Sequence, residues 1–415
     1  VIDDTVPVEI VDGSLLSLDE VRTRLSRGAS CVGFTYSALS SNSLNLLANE
    51  SKERGSFVII GGQAAAGAAR SLINEPFIDA VCIGDGIPVV QSLAEQMVCG
   101  KIDATQIPNL FTRTTDETVI ATRHEDEDVW SEKIPPRNSG GLVPDLYWEK
   151  YPETNTLINM GGHKAGNIFS KRGCLYTCSF CARQEKRIRC RDPRRVAAEI
   201  RDLVACHGVD YILDTSDTWI DIKWAEKFAD ELRYNGLQQI PIMVFADSRH
   251  ISPAACWAMK QCGIDSVLLG VESGSERILR ENNKFTTRRA ILEAVDLLVR
   301  FDIRVSCSFV LGLLGEDERS LNETLDLCSE LVSKPGVVCY GNVIMPLMGS
   351  PLWTKVFGMG TTWPPYITRA LDYDLTAVRE IYVEQATKVR NLNVLQDACK
   401  ALLHLSHLET LEYAR

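Results

Sequence analysis

The hydrophobic period of this chain switches repeatedly between that of a strand and that of a helix. Short apolar, β-prone runs alternate with longer stretches in which apolar residues recur every three or four positions. In the first hundred residues the strand candidates are Val8-Glu9-Ile10-Val11, Cys31-Val32-Gly33-Phe34, Phe57-Val58-Ile59-Ile60 and Ala80-Val81-Cys82-Ile83. Phe57–Ile60 and Ala80–Ile83 are apolar throughout, as strands covered on both faces are, which predicts a parallel sheet. Ser17 and Glu20 stand at capping-box spacing with Leu18, Val21 and Leu25 on one helical face, and Gly28 stops that helix. A second helix is expected from about Ser43 to Arg54, closed by Gly55. Four strands is one fewer than an open α/β domain usually has, which suggests a beginning upstream of Val1.

From about Gly166 the alternation resumes. Strands are expected near 167–171, 209–214, 241–246, 266–271, 304–311 and 337–344, the first five each followed by a helical pattern. Asp192-Pro193 supplies a cap and a first-turn proline for a helix ending at Gly208. Ser252-Pro253 opens another, ended by Gly263, and residues 286–300 carry a third, apolar at Ala290, Ile291, Ala294 and Leu298. Six βα-type repeats predict a barrel or partial barrel, whose chemistry belongs in the loops after the strands' carboxyl ends. The expected class is α/β: a Rossmann-like open parallel sheet, then a partial (β/α)6 TIM-type barrel, then a helical C-terminus. The domain bounds that follow are 1–105, a linker over 106–165, the barrel over 166–352 and a mostly helical segment over 353–415. The linker rests on the acidic run His124–Asp128 and on Pro135-Pro136, Gly140-Gly141 and Gly161-Gly162.

Composition removes several functions. Over 415 residues, 45% hydrophobic and 24% charged content are ordinary globular values. A net charge of -11 argues against coating nucleic acid or anionic membrane, and no apolar run approaches the ~18 residues of a membrane span. The 14 cysteines fit reduced thiols of a cytoplasmic protein, some holding metal, better than a secreted disulfide scaffold.

The chemistry is concentrated in Ser170-Lys171-Arg172-Gly173-Cys174-Leu175-Tyr176-Thr177-Cys178-Ser179-Phe180-Cys181, a Cys-x3-Cys-x2-Cys loop where a βα barrel places its active site. Three thiolates bind three irons of a four-iron cluster and leave the fourth open, as a catalytic centre requires. Zinc or plain thiols is the alternative, but Cys190 and His207 do not complete paired zinc spacing.

Cys174, Cys178 and Cys181, with Phe180 before the third, resemble the signature of radical S-adenosylmethionine (SAM) enzymes. Gly270-Val271-Glu272-Ser273-Gly274-Ser275, Phe309–Glu316 and Met345–Pro351 look like later motifs of that superfamily. Gly61-Gly62, Ile83-Gly84-Asp85-Gly86 and Ile107-Pro108-Asn109-Leu110 are similar to its branch with an N-terminal cobalamin-binding domain. The likeness runs over roughly residues 6 to 352.

The resemblance implies a 4Fe-4S cluster on the three cysteines, with SAM on its open iron. Phe180 would lie beside the adenine, and Glu272 would take the ribose hydroxyls or the amino group. Gly312 and Gly315 would admit the adenosine, and Arg249 would meet the carboxylate. Leu213-Asp214-Thr215-Ser216-Asp217 stands where many members have Gly-Gly-Glu, so Ser216 or Asp217 would replace that contact with the SAM amino group. The bland readings are that Glu272 caps a helix starting near Ser273 and that the glycines merely turn the chain.

Cobalamin is expected at Tyr36, Gly61, Gly62, Gly84 and Gly86, on the carboxyl edge of the first sheet. The Asp-x-His-x-x-Gly cobalamin motif is absent, and the alternative is a domain that only supports the barrel. The implied activity is cleavage of SAM to a 5′-deoxyadenosyl radical and methyl transfer from cobalamin to an unactivated carbon of a small molecule. Leu175, where many relatives have proline, makes Arg172–Cys178 resemble the cluster loop of the arsinothricin-pathway enzyme, which transfers the 3-amino-3-carboxypropyl group of SAM. A metal or electron-transfer module without SAM turnover is the third reading.

Residues 171–195 hold nine basic residues against Glu185 and Asp192, a face suited to SAM carboxylate or to an acidic electron donor such as flavodoxin or ferredoxin. Trp353, Trp363, Tyr366 and Tyr373 are candidates for a substrate pocket, with packing the simpler role.

Overall fold

The computed structural model describes residues 6–37, 41–125, 145–146, 163–183, 185, 187–219, 221–358 and 374–406. Two compact units emerge. One comprises Val1–Leu142, Phe180–Gln184 and Met345–Ile381; the other comprises Val143–Ser179, Glu185–Ile344 and Tyr382–Arg415. Pro135-Pro136, Gly140-Gly141, Gly161-Gly162, Asp126–Asp128, Trp363, Tyr366 and Tyr373 lie outside the described residues.

The first unit holds a sheet of β1 (Cys31–Thr35), β2 (Phe57–Gly61), β3 (Ala80–Cys82), β4 (Leu110–Arg113) and β5 (Val119–Ala121), in that spatial order. β1, β2 and β3 are parallel, whereas β4 and β5 pair antiparallel. The sheet is therefore mixed rather than purely parallel, and two of its strands fall in the stretch expected to be an irregular linker. Val8–Val11 forms no strand: Val8 and Ile10 are more than half exposed and find no partner strand among the described residues. Helices α1 (Leu18–Leu25), α2 (Ser41–Glu53), α3 (Gln63–Leu72) and α4 (Gly86–Val98) connect the elements. The capping box at Ser17 and Glu20 is formed reciprocally. Ile59, Ala80, Cys82, Val89, Leu93, Ile107 and Leu110 make one buried cluster between the sheet and its cover. Gly67 on α3 is obligatory, because a Cβ there would stand 2.4 Å from the Met348 carbonyl oxygen. The Met345–Pro351 motif, expected beside the last barrel strand, thus packs on a helix of the first unit.

The second unit is built on a six-stranded parallel sheet in the order β13-β12-β11-β10-β9-β6. These strands are β6 (Ala165–Ile168), β9 (Tyr211–Asp214), β10 (Ile242–Asp247), β11 (Ile264–Glu272), β12 (Arg304–Leu311) and β13 (Val337–Val343). Sequential order with every pair parallel is the topology of a partial barrel. A two-residue ladder, β7 (Lys171–Arg172) with β8 (Arg189–Cys190), interrupts the series after β6. The helices are α5 (Pro193–His207), α6 (Ile222–Tyr234), α7 (Pro253–Gln261), α8 (Glu276–Glu281), α9 (Arg288–Arg300) and α10 (Glu318–Val332). The Asp192 and Ser252 caps and the left-handed Gly208 stop occupy their expected places. β12 alternates: Val305, Cys307, Phe309 and Leu311 are buried, while Ser306 and Ser308 are only partly so. In β12, then, the buried face is apolar and the other carries Ser306 and Ser308, whereas Tyr211, Leu213 and Met243 of β9 and β10 form an apolar cluster of their own. α11 (Pro351–Phe357) belongs to the first unit; α12 (Leu375–Ala386) and α13 (Leu392–Leu405) follow, so the described C-terminal residues are largely helical. Trp353 is buried edge-to-face with Phe357 at 4.7 Å, a packing role rather than a pocket wall. No described helix is long and apolar enough to cross a membrane.

Candidate active site at the cysteine loop

β6 delivers the chain into the cysteine loop, whose base is closed by the β7–β8 ladder. Gly173 has φ +89, and a Cβ there would lie 1.8 Å from the Arg187 carbonyl oxygen, so only glycine lets the loop close. Its N–H donates to Asp217 at 2.6 Å, and the Cys174 N–H donates to the Glu185 carbonyl at 3.3 Å. Farther along, the Tyr176 hydroxyl meets His250 Nε2 at 2.8 Å, and the Arg249 guanidinium lies over the Tyr176 ring at 3.3 Å. Cys174, Cys178 and Cys181 are partly exposed free thiols, and all 14 cysteines are free. Phe180 is half-buried. Among the described residues no three His, Cys, Asp or Glu side chains converge as ligands of one metal ion would.

The loop's entry is held from below. The Ser216 hydroxyl accepts from the N–H groups of Ser170 (2.9 Å) and Lys171 (2.8 Å) and donates to Asp214. Ser216 and Asp217, candidates for the SAM amino group, thus both bond to backbone N–H groups at the loop's base. Lys171 is buried with its ammonium 3.5 Å from the Trp224 ring centroid and 5.2 Å from that of Trp219. Burial lowers its pKa, against the opposing charge of Asp214.

A second group of charges stands at the ends of β10 and β11. Asp247 accepts from Arg249 Nε and Nη2, both at 2.7 Å, and lies 3.3 Å from Lys284 Nζ; that ammonium donates to Glu272 at 2.9 Å. Burial disfavours the Asp247 carboxylate, but Arg249 and Lys284 outweigh it and hold the carboxyl below its usual range. Burial likewise disfavours the Lys284 ammonium, and Glu272 with Asp247 raises its pKa nonetheless. Burial pushes the Cys178 thiol up, with Lys284 the chief opposing influence. The net direction at Cys178 stays upward, because Glu272 and Asp247 offset the pull of Lys284 and Arg249.

Glu272 sits at φ +66 where the β11–β12 register shifts, a local bulge that redirects its side chain. It does not cap a helix at Ser273, because α8 begins at Glu276 with Ser275 as its N-cap. Gly270 gives this ion pair its space: a Cβ would stand 2.6 Å from Glu272 Oε1 and 3.2 Å from Lys284 Nζ.

The glycine loop after β12 is tightly filled by the chain. A Cβ on Gly312 (φ +92) would meet Leu395 and Ile344 at 2.9 and 3.0 Å, and one on Gly315 (φ +81) would meet Glu281 at 2.1 Å. The Gly312 N–H donates to the Glu316 carboxylate, which is wholly buried; burial pushes Glu316 up to about 7.

In the first unit, Thr35, Ser37, Gly62, Gly84 and Gly86 form a small-residue, exposed edge at the carboxyl ends of β1, β2 and β3, with Gly61 partly exposed. Gly62 (φ +98) and Gly84 have internal reasons to be glycine, since a Cβ would meet Thr35 or Asn109 at 2.9 Å. Gly86 has nothing within 4 Å, and Gly61 only an ordinary 3.8 Å contact. Tyr36 is buried, its hydroxyl 3.9 Å from Met348 Sδ.

Asp247, Lys284, Tyr176 and His250 are site residues that sequence reasoning missed. A histidine next to Arg249 and a tyrosine between the first two cysteines were visible, but no spacing rule links residues 74 positions apart.

Residues 168–328, which span this loop and four of the five strands of its sheet that follow β6, match the model of the radical SAM superfamily. That stretch is similar to a radical SAM domain. It is similar to the anaerobic magnesium-protoporphyrin IX monomethyl ester cyclase of Cereibacter sphaeroides, with 28% identity over 64% of this chain and 43% of the cyclase. It spans less than half the length of that cyclase and of the one from Rubrivivax gelatinosus. Among solved structures it shares the fold of the radical SAM methyltransferase TsrM from Kitasatospora setae, solved with cobalamin and a [4Fe-4S] cluster. The TM-score is 0.67 at 16% identity, over 88% of this chain and 75% of that one. The cobalamin-dependent SAM radical enzyme OxsB gives a TM-score of 0.65 at 15% identity, over 92% of this chain and 53% of OxsB.

Proposed function

We propose that Cys174, Cys178 and Cys181 hold a [4Fe-4S] cluster whose open iron takes SAM, in an enzyme that methylates an unactivated carbon of a small molecule with the help of cobalamin. The observation that carries this reading is the cysteine loop itself: free, partly exposed thiols on a loop pinned by Asp217, His250 and Arg249 at the carboxyl end of a parallel sheet. When bound and reduced, the cluster supplies the electron that splits SAM. The chain's own part is to hold and orient. Arg249 and Lys284, paired to Asp247, would offset negative charge beside the cluster, Glu272 would offer its carboxylate to the amino or ribose groups of SAM, and Gly312 and Gly315 would shape the loop beside the adenosine. Phe180 would lie next to the adenine. Tyr36, Gly61, Gly62, Gly84 and Gly86 line the edge that would receive cobalamin, and the cobalamin-bound structures of TsrM and OxsB support that assignment. The electron comes from an acidic donor docking on the basic stretch that includes Arg187.

A second reading keeps cluster and SAM without cobalamin and transfers the 3-amino-3-carboxypropyl group to a heteroatom such as arsenic. Leu175, more than half exposed in the cluster loop, favours it. Anaerobic purification with iron and cobalamin quantification, then mass spectrometry of SAM products after reduction, separates the readings. About four irons per chain, bound cobalamin and 5′-deoxyadenosine are the expected result. Release of 5′-methylthioadenosine selects the second reading, and a cluster whose spectrum ignores SAM overturns both.

A further inference from the structure

We infer that Asn282 is a positioning residue that ties the cysteine loop to the glycine loop after β12, so that the two sides of a SAM site are held as one piece. The inference rests on the SAM-binding reading above. Asn282 ends α8 and is wholly buried. Its Oδ1 accepts from the Ser179 hydroxyl at 3.0 Å and from the Leu314 N–H at 3.3 Å. Its Nδ2 donates to the carbonyls of Ile278 at 2.9 Å and Leu314 at 3.1 Å. Its own carbonyl accepts from the Ser179 N–H at 2.9 Å.

A helix end needs only the bond to Ile278, one turn back in its own helix. The remaining bonds run to Ser179, 103 residues away and between Cys178 and Phe180, and to Leu314, 32 residues away and between Gly312 and Gly315. A side-chain amide has two acceptor sites and two donors, and Asn282 uses all four. Aspartate lacks the donors and alanine lacks everything; glutamine sets the same amide one carbon farther out. Burial makes the lost partner costly at Ser179, which is buried, and less so at Leu314, which is only partly buried.

A ligand whose amino-acid end sits on the open iron and whose adenosine sits beside Gly312 and Gly315 needs both loops at a fixed spacing. The iron ligands themselves do not involve Asn282, so its loss should weaken SAM binding and leave the cluster in place. That split is one a merely structural role would not give.

The test uses the full chain with Asn282→Ala and Ser179→Ala. In the cluster-free protein, amide hydrogen exchange at Leu314 is expected to speed up about tenfold in N282A, through the loss of one part-buried hydrogen bond. In the reconstituted protein, both variants should keep wild-type iron content while needing roughly tenfold more SAM for half of the change that SAM makes in the electron paramagnetic resonance of the reduced cluster. Wild-type SAM dependence in both variants, or wild-type exchange at Leu314, overturns the inference. If N282A does not fold, S179A decides by the SAM titration alone. If the wild-type spectrum ignores SAM, the functional reading falls, and exchange at Leu314 still decides whether the two loops are clamped.

Discussion

Lys284 has no motif of its own, yet it joins two carboxylates beside the cysteine loop with its side chain only 4% exposed. Asp247 keeps Arg249 as a second partner, whereas Lys284 is the cation paired with Glu272 at the β11 bulge. Replacing Lys284 with methionine should cost about 3–5 kcal/mol, because it leaves a buried charge uncompensated. Urea unfolding of the cluster-free protein measures this, and the double change Lys284→Met with Glu272→Gln should recover more than half of the loss. A cost below about 1 kcal/mol would mean that water already screens the pair. The three cysteines were legible because their spacing is a covalent fact of the loop. Lys284 was not, because its partnership depends on a positive φ at Glu272 and on Gly270 making room.

Among the elements, those carrying their own end signals were readable. The Ser17 capping box, the Asp192-Pro193 start and the Gly208 stop all rest on contacts within a few residues. Val8–Val11 failed for the opposite reason: a strand needs a neighbour, and four β-prone residues do not supply one. β4 and β5 were hidden because their pairing to β3 is a long-range event with weak local patterning. The cysteine loop is an element in its own right, closed at Gly173. Gly173→Ala should cut iron bound after anaerobic reconstitution at least fivefold while far-ultraviolet circular dichroism stays unchanged, since the left-handed backbone and the Arg187 carbonyl exclude a Cβ. Full iron loading in that variant would mean that the loop does not need this turn.

At the scale of the molecule, the basic face shrinks on inspection. Lys171 is buried, Arg189 is locked against Glu185, and Arg191 is paired to Glu199 at 2.7 Å. Arg187 is exposed, so the docking role proposed for that face falls more to Arg187 than to Arg189. Arg187→Glu should slow reduction by an acidic flavodoxin-type donor severalfold, most at low salt, and leave dithionite reduction unchanged. Arg189→Glu should impair both, because it sets a second carboxylate against Glu185 at the loop's base. Equal effects of the two variants on both reductants would remove the distinction. The sequence by itself determined the two α/β series, most helix ends and the spacing of the three loop cysteines, since period, caps and spacing are local properties. Tertiary structure alone decided that the first sheet is mixed, that Ser216 and Asp217 hold the loop's base, and that Glu272 meets Lys284. Each of these depends on which distant backbone groups remain to be satisfied once the chain is packed, and local sequence does not encode that outcome.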